Sequence, residues 1–287
     1  MLLHLATALS RLPLGVHYWF ADRLLFPMMY HIVRYRRRMV DKNLRCSFPD
    51  KSEEERRQIA RDFYHQFCDV LVETIYGYRC SEDEMRQRVD IIGMEEANRL
   101  IDAAGGGIFM LAHMGNWEWQ ASVQQWLSPG VIELNVYRQL KNKHFDALML
   151  AIRSKRGGLC VEKKQLLREM IRYRAEHQPV TVGLICDQKP RPNVTRTWVT
   201  FLHQETGFLD GGEVLGTKFG YPVFYGHMQR VSRGHYRSEV RLMAAQPQDL
   251  PEGELTKRFA QELEKNILEQ PELWLWTHNR WKWGKTK

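Results

Sequence analysis

The sequence predicts an α/β protein: a central sheet, mixed but mostly parallel, flanked by helices on both faces and preceded by an amphipathic helical segment. Three observations carry that expectation. Continuous apolar runs at 108–112, 132–137 and 180–186 read as buried strands. Helical patterns alternate with them, which is the signature of a parallel sheet covered on both sides. The first forty residues differ from the rest in being apolar stretches broken only by Arg11 and by Asp22 with Arg23.

Within the leading segment, Leu2, Leu5, Leu9, Leu12, Val16 and Trp19 recur at helical spacing, and Tyr18, Tyr30 and Tyr35 add amphipathic aromatics before the basic run 34–38. No apolar stretch there approaches the roughly 20 residues that a spanning helix needs. Apolar face, aromatics and adjoining arginines suit a helix lying in the interface of an anionic bilayer, or else a helix packed on the domain with a basic solvated face. Ser52 and Glu55 form a capping box, opening a helix with apolar positions at Ile59, Phe63, Phe67, Leu71, Ile75 and Tyr78. After Gly105–Gly107 comes the first strand, at 108–112. Further strands are expected at 132–137, 180–186, 222–228 and 236–243, the last two as a hairpin. Helices are expected at about 117–127, 141–154, 164–176, 210–219 and 254–269. No linker or repeat divides the chain, so we read 1–50 as a membrane-associating helical appendage and 51–287 as one catalytic domain.

Composition narrows the function. The 42 Lys and Arg outnumber 34 Asp and Glu, a net charge of +8, which favours an anionic partner. No recognisable nucleic-acid reader motif accompanies the charge, so no nucleic acid is expected. The five cysteines include no CxxC pair, which argues against a disulfide framework or a cysteine zinc site. HExxH is also missing, and no metal is implied.

In α/β sheets, chemistry gathers where strands end. The first strand runs directly into 113–118, His-Met-Gly-Asn-Trp-Glu. His113 thus stands at a carboxyl end, with Glu118 one turn into the next helix and positioned to orient the imidazole as a general base. The spacing alone is weak. His17 and Asp22 repeat it in the amphipathic segment with no strand before them, and we treat that pair as accidental. Arg138 follows the second strand and Asp187 ends the third, so His113, Arg138 and Asp187 reach one rim. There Arg138 is a candidate to bind a phosphate or stabilise charge at the reacting carbonyl, and Asp187 to pair with Arg138 or another basic group. Gln188, Asn116 and Gly115, with the backbone amides near Met114 and Gly115, complete the candidate substrate and oxyanion groups.

The pattern His113-x4-Glu118 after a Gly-rich turn and a buried strand resembles the late acyltransferases of lipid A biosynthesis, within the wider H-x4-D/E glycerolipid and lysophospholipid acyltransferases. Segments 136–142 (Val-Tyr-Arg-Gln-Leu-Lys-Asn), 183–188 (Gly-Leu-Ile-Cys-Asp-Gln) and 271–282, rich in Trp and carrying His278 and Arg280, match further blocks in the same order. The run 35–38 with 43–49 follows the family's N-terminal pattern. The stretch 199–208 departs from it, as does the weak hydrophobicity of the N-terminus.

The resemblance implies acyl transfer from an acyl thioester, carried by acyl carrier protein or coenzyme A, to a hydroxyl of a membrane lipid, foremost a lipid A precursor. It implies no bound cofactor and a place on the cytoplasmic face of the bacterial inner membrane, held peripherally. A lysophospholipid or aminolipid acyltransferase is the nearest alternative, and a non-catalytic basic lipid-binding protein the alternative of another class. The basic positions Lys141, Lys143, Arg153, Lys155, Arg156, Lys163, Lys164, Arg168, Arg172 and Arg174 are either a solvated face or a dock for acyl carrier protein or anionic headgroups. Trp274, Trp276, Trp281 and Trp283 are either helix core or an interfacial aromatic belt.

Overall fold

The computed structural model describes residues 2–190, 195 and 197–282, without the side chains of residues 2–5 and 156. The side chains of Leu2, Leu5 and Arg156, and Trp283, therefore lie outside the described residues. The N-terminal helices are α1 (Leu2–Leu9), α2 (Leu14–Phe20), continued by wide π-type turns through Ala21–Leu25 and Pro27–Ile32, α3 (Arg37–Ser47) and α4 (Glu53–Gly77). Then come α5 (Glu82–Arg88), β1 (Val89–Ile92), α6 (Met94–Ala104), β2 (Gly106–Leu111) and the short α7 (Trp117–Gln120), which continues as a 3-10 turn over Ala121–Trp126. The middle of the chain supplies β3 (Ile132–Tyr137), α8 (Lys143–Arg153), β4 (Leu159–Glu162), α9 (Leu166–Ala175) and β5 (Val180–Ile185). It ends with β6 (Thr197–Phe201), β7 (Gln204–Phe208), α10 (Gly211–Phe219), β8 (Val223–Ser232), β9 (His235–Ala244) and α11 (Glu254–Glu269).

The seven-stranded sheet runs β1-β9-β8-β2-β5-β3-β4. Strands β8, β2, β5, β3 and β4 are mutually parallel, and β9 returns antiparallel on β8, so the expected mixed, mostly parallel sheet is present. Its central strands are near-continuous apolar runs because helices cover both faces: Ile108, Phe109 and Met110 of β2 and Val180 and Val182 of β5 are all buried.

Strands β1 and β4 were not expected. Each is four residues long at a sheet edge, too short for a period to show. The separate β6–β7 hairpin was also unforeseen. It turns on Leu202 and His203, with φ of 47° and 63°. Those angles belong to the two-residue turns usually marked by Asn-Gly or Asp-Gly, and this turn carries neither.

Helix α4 begins as its capping box requires: the Glu55 amide donates to Ser52 Oγ at 3.2 Å and the Ser52 amide to Glu55 Oε2 at 2.7 Å. Its buried surface is wider than the i+4 stripe. Leu71 is exposed, whereas Tyr64, Gln66, Cys68, Asp69 and Glu73 are buried, because α4 contacts the N-terminal helices on one side and the loop after β2 on the other. Ala21, Phe26, Val40, Leu44 and Phe48 join the same buried cluster as the sheet. Arg233, in the β8–β9 turn, fastens the N-terminal segment by gripping Asp22 at 2.7 Å and Asp69 at 2.6 Å. Asp22 is thus engaged by Arg233, and the His17 ring lies 3.2 Å from the Pro13 carbonyl oxygen, so this second His-x4-Asp pair serves the fold. Among the described residues no helix is long and apolar enough to cross a membrane.

Candidate active site

The parallel strands end on one rim. His113 follows β2, Asp187 follows the adjacent β5, Arg138 follows β3 and Lys163 follows β4. Successive strands lie about 4.8 Å apart. Neighbouring strands therefore bring His113 and Asp187 together, while Arg138 stands two strands from His113, exposed at the rim.

His113 Nδ1 lies 2.7 Å from Asp187 Oδ1. Asp187 Oδ2 also accepts from the His113 backbone N–H at 3.1 Å and from Trp274 Nε1–H at 2.9 Å. Three donors around one buried carboxylate keep it ionised. Burial opposes the charge, but the His113 imidazole, its hydrogen bond and the Trp274 donor outweigh burial and lower Asp187 from 3.8 to about 2. For His113 the same pair acts in reverse: burial pushes the imidazole down, and the Asp187 charge and hydrogen bond, helped by Glu118, lift it above its usual 6.5. With Nδ1–H donating to the carboxylate, Nε2 keeps its lone pair for a proton. Gln188 Nε2 lies 3.4 Å from that nitrogen, and the Trp117 indole meets the imidazole edge-on at 5.4 Å.

This geometry corrects the role expected of Glu118. Both of its oxygens are taken by Arg153, whose Nε and Nη2 donate at 2.8 and 2.7 Å. Glu118 acts on His113 through its charge, and Asp187 supplies the orienting hydrogen bond. Asp187 in turn pairs with His113, not with Arg138.

Asn116 and Gly115 are corrections too. Asn116 is fully buried; its Oδ1 caps α7 by accepting from the Trp119 amide at 3.0 Å, and its Nδ2 donates to Glu73 Oε2 at 2.7 Å, so it has no face toward substrate. The Gly115 amide donates to the Leu273 carbonyl at 3.0 Å and is unavailable as an oxyanion donor. Glycine is required there all the same: φ is +53°, and a Cβ would stand 2.7 Å from Met228 Cγ.

Two supports were missed by sequence reasoning. The first is Glu73 on α4, completely buried and accepting from Tyr18, Tyr236 and Asn116. Trp119 Nε1–H also donates to its backbone carbonyl at 3.0 Å, so α4 fixes the loop that carries His113. Acidic residues at 69 and 73, spaced i,i+4 within an otherwise apolar helix, were the available signal. The second is the C-terminal segment. Met114 pairs antiparallel with Trp274, and the Leu275 amide donates to the His113 carbonyl at 3.1 Å. Trp274 and Trp276 are buried at 4.7 Å from each other, edge to face, in a short 3-10 turn and loop. These tryptophans are core, though not helical, and one of them holds Asp187.

Behind them lie His278 and Arg280. Burial, with Arg280, His113 and Lys189 adding to it and Asp187 opposing, lowers His278 to about 4 and keeps it neutral, so its Nε2 accepts from the Lys189 amide at 3.3 Å. Arg280 is buried, donates to the Gly207 carbonyl at 2.6 Å and lies over the Phe208 ring.

Residues 4–283 match the family described as bacterial lipid A biosynthesis acyltransferase. Over 294 aligned residues the chain is 25% identical to the lipid A biosynthesis lauroyltransferase of Escherichia coli strain K12, covering 98% of this chain and 94% of that protein.

Proposed function

Since the chain belongs to the bacterial lipid A biosynthesis acyltransferase family and is an O-acyltransferase acting on a lipid A precursor, we propose that His113, oriented by Asp187, is its general base. The observation that carries this reading is the 2.7 Å contact from His113 Nδ1 to Asp187, which leaves Nε2 free at the end of β2. The acceptor hydroxyl displaces the Gln188 amide from Nε2. As its oxygen bonds to the thioester carbonyl carbon, its proton passes to Nε2. The tetrahedral intermediate then collapses, the C–S bond breaks, and the leaving thiolate takes the proton back from the imidazolium. Ester and thiol result, and His113 is restored. Asp187 stabilises the imidazolium between the two transfers.

A positioned base contributes about 10²–10⁴-fold, and an oxyanion donor about 10²–10³-fold more. Gln188, freed by the hydroxyl, takes the oxyanion role in this reading, and Arg138 holds an anionic group of one substrate at the rim. Glu118 with Arg153 sets the field around the ring. No covalent acyl-enzyme is needed, because a thioester already carries a good leaving group.

We take the donor to be an acyl thioester on acyl carrier protein. Exposed Lys141, Lys143, Lys155, Lys163, Lys164 and Arg168 support this, since they gather beyond the β3–β4 edge of the rim and suit an acidic carrier. Arg153 and Arg172 do not belong to that dock; they are paired with Glu118 and with Glu169 and Glu176. Residues 1–50 act as the membrane-associating segment and 51–287 as the catalytic domain. Exposed Val16, Trp19, Leu24, Ile32 and Val33, with Trp19 at 60% and Ile32 at 77% exposure, support peripheral attachment to an anionic inner-membrane surface on its cytoplasmic side. The acyl length follows the relative's name in this reading, a lauroyl chain.

The test is His113→Ala, purified with detergent and assayed on a lipid A precursor with acyl-loaded carrier protein, the lipid product being weighed by mass spectrometry. Loss of at least about 10²-fold in kcat with an intact fold is expected. Near-normal turnover refutes the assignment.

A further inference from the structure

The basic run at 34–38 does more than face solvent. Arg34, Arg36, Arg37 and Arg38 line an open cavity of about 930 Å³ whose wall also contains Asp41 and Asn279. Among the described residues none of the four arginines is in an ion pair. The backbone is shaped to gather them: Arg34 and Arg36 both adopt φ of +51°, a left-handed conformation that costs a non-glycine residue energy. Arg36 Nη1 donates to the Thr277 carbonyl at 3.0 Å, and Arg37 lies over the Tyr30 ring at 4.5 Å, so two of the arginines are pinned in place. Helix α3 opens at this point without a side-chain cap, and its N-terminal end adds its own positive field.

The cavity also touches the catalytic apparatus. Its Asn279 belongs to the C-terminal segment that carries Trp274 to Asp187. Asn43 of α3 fastens that segment by donating to the Trp276 and His278 carbonyls at 2.8 and 3.0 Å. On the other side stand the strongly exposed Ile32 and Val33, immediately before Arg34. Lys189, next but one to Asp187, is lowered by burial and then by the charges of Lys282 and Arg36, so the positive region reaches from the cavity to the rim.

We propose that this four-arginine cavity seats a phosphorylated sugar headgroup of the membrane lipid acceptor, at headgroup depth beside the exposed apolar face. The inference rests on the acceptor reading given above and adds where the acceptor's phosphate is held. Several observations favour a phosphate over a carboxylate or a bare ion. Guanidinium forks match phosphate oxygens in pairs. The volume falls in the range of small-molecule sites, about 300–1,000 Å³, and so admits a sugar as well as its phosphate. The neighbouring apolar surface places the ligand on a lipid.

The experiment compares the wild type with Arg34→Ala/Arg38→Ala, which leaves the anchored Arg36 and Arg37 intact. Acylation is measured on the bisphosphorylated glucosamine-disaccharide acceptor and on the same acceptor after phosphatase treatment. The variant's KM for the phosphorylated acceptor should rise about 10- to 100-fold, the effect of losing one charge-assisted contact, while kcat changes less than about twofold. The two proteins should treat the dephosphorylated acceptor alike. Equal loss on both acceptors, or a loss confined to kcat, overturns the proposal. A second arm needs no turnover. Full-length His113→Ala protein is sedimented with phosphatidylcholine vesicles containing phosphatidic acid, in the absence and presence of inorganic phosphate, with and without the arginine substitutions. Binding that requires the arginines and is competed by millimolar phosphate upholds the site even if the acyl-transfer reading fails. Arginine-independent binding, or weakening no greater than with phosphatidylserine vesicles, sinks it.

Discussion

Replacing Asp187 by asparagine tests which carboxylate orients the base. The wild-type carboxylate meets one donor at Oδ1, the His113 Nδ1–H, and two at Oδ2, the His113 amide and Trp274 Nε1–H. An asparagine has a single acceptor oxygen. Two donors outnumber one, so that oxygen takes the Oδ2 position and the NH₂ group faces Nδ1. The imidazole must then accept at Nδ1 and carry its proton on Nε2, where the base is needed. A wrong tautomer of this kind costs about 10³–10⁴ in kcat, or about 4–5 kcal/mol at 1.36 kcal/mol per tenfold. The side chain keeps its shape, so the fold persists. Without the carboxylate, burial dominates the imidazole and its pKa falls; the acid limb of the residual kcat/KM profile moves to lower pH than in the wild type, where it lies above 6.5. Initial rates from pH 5 to 9, with nitrogen NMR of the ring to identify the tautomer, read both effects. A folded Asp187→Asn enzyme with kcat within tenfold of wild type would falsify the argument.

Other substitutions separate neighbouring roles. Glu118→Gln leaves the His113–Asp187 contact in place but strands Arg153; kcat should fall less than about tenfold, while stability drops by about 1–3 kcal/mol, discounted for the partial exposure of the arginine. Denaturant titration and kinetics on the same preparation check this, and a larger kcat loss than in Asp187→Asn would return the orienting role to Glu118. In the wild type, the lowered Asp187 contributes about 2 kcal/mol of stability that is present above pH 3.8 and lost as pH falls through about 2, visible as an acid unfolding limb. Glu133, buried in the sheet with one carboxyl oxygen lacking a partner, is pushed by burial up to about 8. A raised carboxyl costs stability as pH climbs from 4.5 to 8, so Glu133→Gln should gain about 4 kcal/mol over wild type between pH 5 and 9. Parallel pH-stability curves for the two proteins would exclude that titration.

The elements legible in the sequence were those with a strong period and a buried environment. Strand β3 and helix α11 fall where the apolar pattern puts them, and Ser52 with Glu55 marks the start of α4. The four-residue edge strands and the Leu202–His203 turn lack any local signal, since pairing partners far along the chain create them. The site divides in the same way. His113, Asp187 and Gln188 could be placed on one rim because strand ends are local features. Which acid meets the imidazole was not local: it depends on β5 lying next to β2 and on Trp274 arriving from 87 residues away to complete the carboxylate. Glu118 is nearer in sequence, yet Arg153, at the end of α8, claims both of its oxygens. Asn116 looked like a polar group beside a catalytic histidine, and only its burial against Glu73 shows it to be scaffold.

The antiparallel pairing of Met114 with Trp274 has a bearing on biosynthesis. A chain emerging from the ribosome at about 5–20 residues per second exposes the imidazole many seconds before the indole that steadies its partner. During that interval the nascent protein can lean on a membrane through its first helices while still lacking an organised proton acceptor. Competence therefore arrives late and abruptly, when the tail docks against the loop it supports, and polypeptides released before that point would occupy lipid without modifying it.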